Sequence, residues 1–295
     1  MDYSLKHLKG RSYYIPGRVN LGLYSTEEGS LLIDSGGDES SGRAIYRMLQ
    51  REGLSLKTII NTHSNADHVG GNAYLQKKTG CRIHCTAIES IITENPFLEP
   101  VLLWSAYPFK ELENKFLQAK PSKVTEIIPN SGDLGETGLE VVSLPGHFLD
   151  MIGIRTPDGV FYIADSLFSG DIIDKYHLIV NLDVRSSLKT MDLLEASRDR
   201  YYVPCHAEMT ENIVPLVRKN RENLVKVGNE IVDICSEPSS REDILARIMQ
   251  KYGLELSPTQ YVLNLATISA HVSYLSDENR LEYAISEGRL LWKKK

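Results

Sequence analysis

Long apolar runs are missing from this sequence. None of its hydrophobic stretches approaches the ~18–20 residues that span a bilayer, so no membrane helix is expected. The amino terminus, MDYSLKHLKGRSYYIPG, has no apolar stretch of the kind a secretion signal carries, and the expected location is the cytoplasm. Cysteine is scarce: Cys81, Cys85, Cys205 and Cys235 form no CxxC pair and no zinc-ribbon spacing, which argues against a disulfide framework. They read as small buried apolar groups, with Cys81 and Cys85 on one face of a strand; Cys205 stands apart because it directly precedes His206. Excess positive charge is lacking too. With 33 Lys and Arg against 39 Asp and Glu, the net charge of −6 does not suit a protein held on nucleic acid by charge alone. No internal repeat or low-complexity tract is present. What remains, 42% hydrophobic and 24% charged over 295 residues, is a folded chain with room for one large and one small domain.

The first 235 residues alternate short apolar runs with polar helical stretches, the pattern of an α/β sheet covered by helices. SLLIDSG reads as a strand and turn, and GRAIYRMLQREG as a helix closed by Gly53 with Ile45, Met48 and Leu49 on one face. KTIINTHS, CRIHCTA, LEVVSLPGH, VFYIADS and RYYVPCHAE read as strands, and NAYLQKKTG as a helix. Residues 91–125 break this rhythm with Phe97, Trp104, Tyr107, Phe109 and Phe116 among Pro96, Pro100, Pro108 and Pro121. From residue 236 the polar SEPSS reads as a linker. REDILARIMQKYG then reads as a helix, SPTQYVLNLATISAHVSYLSDEN as a longer one, and LEYAISEGRLLWKKK as a hairpin turning at Glu287-Gly288. Helix, long helix and hairpin follow the order of a winged-helix module. The expected division is therefore a large α/β domain over residues 1–235 and a winged-helix-like domain over 236–295.

Four of the apolar runs end on a group able to bind a metal. One delivers His63, Asn65, Asp67 and His68; the others deliver His147, Asp165 and His206. Side chains just beyond strand ends converge on a common crevice in open sheets. Any one of these histidines reads easily as a core residue, but four coincident placements do not. THSNADHVGG packs polar ligands tightly and then uses Gly70 and Gly71, which let the backbone pass close to the site or open a helix. Mixed histidine and carboxylate ligands suit zinc, and also iron or manganese.

These motifs, in this order, resemble the metallo-β-lactamase-fold hydrolase superfamily, with its HxHxDH, PGH, bridging Asp and P-x-H segments. The matching residues are His63-Ser64-Asn65-Ala66-Asp67-His68, Pro145-Gly146-His147, Ala164-Asp165 and Pro204-Cys205-His206, and the resemblance covers roughly residues 10–220. It implies a four-layer αββα sandwich with metals at one edge of its two sheets. It also implies a first site of His63, Asn65 and His147, a second of Asp67, His68 and His206, and Asp165 bridging them. Asn65 departs from the family pattern, which has histidine there. An amide oxygen is the weaker ligand for a borderline metal, so the second site is expected to fill first, while the first is weak, taken by a harder metal, or empty.

One or two ions, zinc foremost, are thus the expected cofactor. A divalent metal lowers the pKa of bound water from about 15.7 towards 7 and so gives hydroxide at neutral pH. Asp67 is the candidate to orient that water or relay its proton, beyond serving as a ligand. Asp34 in LLIDSGG is placed to accept from the far ring nitrogen of a ligating histidine, with Thr62 a lesser candidate. His84, His177 and His271 read as ordinary surface or packed residues. The aromatic insertion is read either as a lid, with Trp104, Tyr107 and Phe109 shaping the substrate pocket, or as a helical dimer contact through Leu112, Phe116 and Leu117. The expected activity is hydrolysis of a small ester, thioester or lactam-like substrate. The alternatives are a phosphodiesterase or ribonuclease guided by the winged helix, and a binding module with a degenerate metal site. Residues 241–295 carry eight Lys and Arg against seven Asp and Glu, so nucleic acid is not the favoured partner.

Overall fold

In the computed structural model, which describes residues 3–295, the chain opens with four antiparallel strands: β1 (Lys6–Lys9), β2 (Ser12–Ile15), β3 (Leu21–Thr26) and β4 (Gly29–Ile33). After α1 (Glu39–Arg51) comes β5 (Leu56–Ile60), and after α2 (Ala66–Val69) and α3 (Asn72–Thr79) comes β6 (Arg82–Cys85). α4 (Ala87–Glu94) and α5 (Leu98–Trp104) precede β7 (Glu126–Ile127). Strands β4 to β7 run parallel, and the seven strands form one sheet in sequence order. A second sheet holds β8 (Gly132–Asp133), β9 (Glu140–Ser143), β10 (Ile152–Arg155), β11 (Val160–Tyr162) and β12 (Tyr201–Val203) in the order β12-β11-β10-β9-β8. α6 (Gly170–Tyr176) and α7 (Val184–Ala196) lie between β11 and β12. The chain ends with α8 (Val214–Ile234), α9 (Arg241–Tyr252), α10 (Pro258–Asp277) and the hairpin β13 (Leu281–Ser286) and β14 (Arg289–Lys294).

Strand alternation sorts the core into layers. In β4, Leu31 and Ile33 face the second sheet while Leu32 faces the helices; β5 repeats this with Ile60 and Ile59. Val160 and Tyr162 of β11 meet the first sheet, and Phe161 turns outward beneath α7 and α8. Ala44, Ile45, Met48 and Leu49 of α1, with Leu75 of α3, cover the outer face of the first sheet. Each such fully buried aliphatic side chain contributes roughly 1.5–3 kcal/mol. The result is the αββα sandwich that the motifs imply.

α8 serves two cores. Val217 and Leu224 belong beneath the second sheet, while Val227, Ile231 and Val232 pack with Ile244 and Ile248 of α9, Ile268 and Val272 of α10, and Trp292. The SEPSS stretch is tied in as well, because Ser239 and Trp292 exchange backbone hydrogen bonds at 2.9 and 2.8 Å. The hairpin turns where expected: Glu287 and Gly288 both take positive φ, which glycine adopts freely.

FKELENKFLQAK forms a 3-10 turn, Lys110–Leu112, and a separate turn in which Leu117 N and Gln118 N donate to Asn114 O, not a continuous helix. Asn114 ends the first: its Oδ1 accepts from Phe116 N, and its Nδ2 donates to Glu111 O and to Thr259 Oγ1. Leu112 and Leu117 are buried against Val262 of α10, leaving Phe116 on the surface, so there is no helical dimer face in this stretch. Among the described residues no helix is long and apolar enough to cross a membrane.

Candidate metal centre

The two sheets deliver their side chains to one shared edge. His63, Asn65, Asp67 and His68 follow β5 of the first sheet; His147, Asp165 and His206 follow β9, β11 and β12 of the second. Ile152 N donates to Thr62 O (2.9 Å), pinning the start of β10 to the loop after β5. Close approach explains the glycines. A Cβ at Gly70 would meet Gly37 backbone at 2.3 Å, one at Gly71 would meet Ser35 O at 2.3 Å, and one at Gly146 would strike Ser187. Gly71 also sits at the start of α3, so both readings of the glycine pair apply.

All seven sequence-nominated residues come together. One donor atom each from His63, His147 and Asp165 lies within 4.8 Å of the others, and so do those of Asp67, His68 and His206. Asp165 joins the groups: Oδ1 is 3.2 Å from His68 Nε2, and Oδ2 is 3.2 Å from His206 Nε2 and 3.5 Å from His147 Nε2. Asp67 Oδ2 is 3.3 Å from His206 Nε2, and Oδ1 is 3.8 Å from His68 Nε2. Asn65 Oδ1 lies 3.1 Å from His147 Nε2. Phe168 stacks on His206, with ring planes 9° apart.

Hydrogen positions follow from the partners. Asp34, fully buried, accepts from Thr62 N at 2.8 Å, from Thr62 Oγ1 at 2.7 Å and from His68 Nδ1 at 2.9 Å. Since the Thr62 hydroxyl gives its hydrogen to Asp34, it accepts from His63 Nδ1 (3.0 Å). His147 Nδ1 donates to Val180 O (2.9 Å). His63 and His147, the two rings held neutral, are thereby left with a bare Nε2 turned to the centre, and the Nε2 atoms of His63 and His68 are buried without a hydrogen-bond partner. His147 Nε2 and Asn65 Oδ1 face each other as two acceptors. A set of lone pairs converging with no hydrogen to share is what a cation satisfies, and the N and O donors fit zinc, iron or manganese.

Electrostatics divide the four rings into two pairs. Burial pushes His63 well below its ordinary range and lowers His147. Burial acts the same way on His68 and His206, but carboxylates outweigh it: Asp165, Asp67 and Asp34 hold His68 well above its usual value, and Asp165 and Asp67 lift His206 to about 10. Despite burial, His206 and His68 keep Asp165 well below the carboxylate range.

Two buried carboxylates went unnoticed in the sequence. Glu89 of α4 accepts from Ser64 N (2.9 Å), Ser64 Oγ (2.6 Å) and Asp150 N (2.8 Å), bracing the ligand loop. Glu99 of α5 accepts from Asn65 Nδ2 at 2.8 Å; burial, and then Asp67, push its carboxyl well above the usual range. The signal was a lone acid within an apolar run, AIESII and FLEPVLLW. Trp104, Tyr107 and Phe109 stand on the surface, Trp104 edge-on to Phe109, and none lines the cavity beside His147 and Asp165 that Met151, Phe168 and Asn181 border. The segment carrying them is fastened by Glu99, by Asn114, and by ion pairs from Lys115 to Asp38 and from Lys120 to Glu39. Cys205 is buried beside this group with its thiol pushed up to about 12 by burial, which makes it unreactive. His84 and His271 are buried and His177 is half-buried against Tyr252.

A two-part donor set at the common edge of an αββα sandwich is built to hold metal there. The chain belongs to the metallo-beta-lactamase superfamily, whose family model matches residues 14–206. A hydroxyacylglutathione hydrolase from Idiomarina loihiensis is 27% identical over 135 residues, covering 45% of this chain and 41% of that protein. Another, from Chromohalobacter salexigens, is 29% identical over 137 residues, covering 45% and 42%. The chain thus spans less than half the length of these curated relatives. Among solved structures, a beta-lactamase domain protein from Burkholderia ambifaria superposes with a TM-score of 0.77 at 17% identity, covering 99% of this chain and 94% of the other. A metallo-beta-lactamase family protein from Thermus thermophilus gives 0.73 at 16%, covering 99% and 98%. At such identities the likeness speaks for the fold, here including the C-terminal region.

Proposed function

We propose that the chain hydrolyses a small thioester or ester, with a lactam-like bond as the related alternative, at a centre holding one or two divalent ions, zinc foremost. One observation carries the reading: the bare Nε2 atoms of His63 and His147 and the buried, unpartnered Nε2 of His68 converge with the oxygens of Asn65 and Asp165. A divalent ion held there supplies Lewis acidity and brings its water's pKa from about 15.7 towards 7. The chain's own part is orientation. Asp34 and Thr62 fix which nitrogens of His68 and His63 face inward, and Asp165 spans the two donor groups. Asp67, half-exposed at the mouth and paired with His206, is placed to orient the attacking water.

The likeness to hydroxyacylglutathione hydrolases favours the thioester, and Trp104, Tyr107 and Phe109 are our candidates for the substrate-binding rim. A nucleic-acid phosphodiester is less favoured, because α10 is packed along most of its length against α5, α7, α8 and α9, which leaves it no broad free face for a groove. The test is metal analysis after chelator-free purification, joined to a screen of generic thioester, ester, lactam and phosphodiester substrates. Turnover of a thioester or ester that a chelator abolishes and zinc restores is expected. Phosphodiester turnover alone, or a chain that retains no metal on reconstitution, would overturn the proposal.

A further inference from the structure

We propose that Glu99 is a positioning residue that fixes the amide of Asn65 with its oxygen turned into the metal centre, completing the weaker of the two donor sets. The inference rests on the two-site reading above. Its ground is the pair of contacts that Asn65 makes at its two ends: Nδ2 donates to Glu99 Oε1 at 2.8 Å, and Oδ1 stands 3.1 Å from His147 Nε2. A histidine at position 65 would present a nitrogen. An amide has two unlike ends, and something must choose between them. With no acceptor at position 99, the amide is free to turn over and donate Nδ2 to the bare Nε2 of His147, and that hydrogen bond would withdraw two donor atoms from a cation at once. In the observed pairing Glu99 Oε1 accepts from Nδ2, and turning the amide over would break that hydrogen bond.

Glu99 is only 3% exposed, and it is held from behind. Leu103, one turn further along α5 and so on the same face, packs with Leu112, Leu117 and Val262. The segment that interrupts the sheet rhythm therefore delivers to the metal edge the residue that makes an asparagine serviceable there.

The test uses the full chain and zinc alone. Affinities for the first and second zinc equivalents are measured by competition with a chromophoric chelator, for wild type, Glu99→Leu, Glu99→Asp, Glu99→Gln, Asn65→Ala and the Asn65→Ala/Glu99→Leu double variant. Leucine fills the space but accepts nothing, aspartate is one methylene short, and glutamine keeps an acceptor oxygen at the same reach. In Glu99→Leu and Glu99→Asp the second equivalent should weaken about 10–100-fold, the first should stay within about threefold, and Glu99→Gln should keep both within about threefold. In the Asn65→Ala background, Glu99→Leu should cost nothing further. If Glu99→Leu does not fold, Glu99→Asp against Glu99→Gln decides. An unchanged second equivalent, equal weakening of both, an undiminished further loss in the Asn65→Ala background, or a wild type that stops at one equivalent would each overturn the proposal while leaving the second donor group standing. A wild type that binds no zinc would instead refute the metal centre itself.

Discussion

Replacing Asp34 by asparagine probes the wiring of the centre more sharply than deleting a ligand, because the side chain keeps its shape while its hydrogen-bonding rules change. Asp34 accepts three hydrogen bonds at two oxygens, from Thr62 N, Thr62 Oγ1 and His68 Nδ1. An amide accepts at one oxygen only. If its nitrogen takes the Oδ1 position, it opposes the Thr62 N–H, and a buried backbone donor left without an acceptor costs about 1–3 kcal/mol. If it takes the Oδ2 position, the Thr62 hydroxyl loses its acceptor, and the amide N–H opposes the N–H at His68 Nδ1. Either way at least one charge-assisted hydrogen bond, worth roughly 1.5–3 kcal/mol, is lost. A net loss of about 2 kcal/mol, set against ~2 cal/mol/K of unfolding entropy per residue over 295 residues, lowers Tm by about 3 °C. Zinc affinity at the donor group containing His68 should fall about 10–100-fold. Thermal melts without metal and chelator competition at neutral pH read the two effects separately. An Asp34→Asn variant with wild-type zinc affinity and wild-type Tm would refute the tautomer argument on which the whole centre is built.

Asp67→Ala and His206→Ala each remove a donor from the group around His68, so each should abolish hydrolysis and cost bound metal; turnover retained in both would sink the assigned mechanism. Asn65→His should raise bound metal towards two per chain, and unchanged metal content and rate would show that Asn65 does not limit the first site. His271, buried on α10 with Nδ1 unpartnered, has its pKa lowered by burial from 6.5 to about 4. The fold therefore favours the neutral ring, and its contribution is intact above pH 6.5 and declines as pH falls towards 4. At pH 4.5 the loss amounts to about 2.5 kcal/mol. Urea unfolding at pH 7 and 4.5 should show a smaller acid loss for His271→Leu than for wild type by about that amount, and equal losses would remove His271 from the account.

What the sequence disclosed and what it hid divide along a physical line. A ligand that directly follows a strand is a local fact: β5, β9, β11 and β12 are short apolar runs, and His63, His147, Asp165 and His206 stand just beyond their ends. That Asp34 would brace a ligating histidine was legible for the same reason, since the parallel pairing of β4 with β5 brings the ends of both strands to one edge, but only the structure shows that the histidine is His68. Burial of a carboxylate is not local. Glu89 and Glu99 have the composition of exposed helix residues, and only packing decides that Ser64 and Asn65 take up their oxygens. The helical reading of FKELENKFLQAK failed on a local competition. The spacing of Leu112, Phe116 and Leu117 suits a helix, but the side chain of Asn114 captured the backbone first.

The two donor groups differ in what holds them. His68, Asp67 and His206 are positioned by Asp34, Asp165 and the strand ends around them, all within the span shared with the superfamily model. The group with His63, Asn65 and His147 leans further afield. His147 is aimed by Val180 O, and the next residue, Asn181, donates its N–H to Thr267 Oγ1 of α10 at 3.2 Å. Asn65 is aimed by Glu99, whose helix rests through Leu103 on the cluster containing Val262, again of α10. One C-terminal helix thus stands behind both of the less ordinary supports of the first site. The departure from the family pattern at Asn65 and the bracing of the aromatic segment by α10 are two parts of one arrangement: a ligand with two unlike ends needs a partner to orient it, and that partner needs a rigid wall behind it.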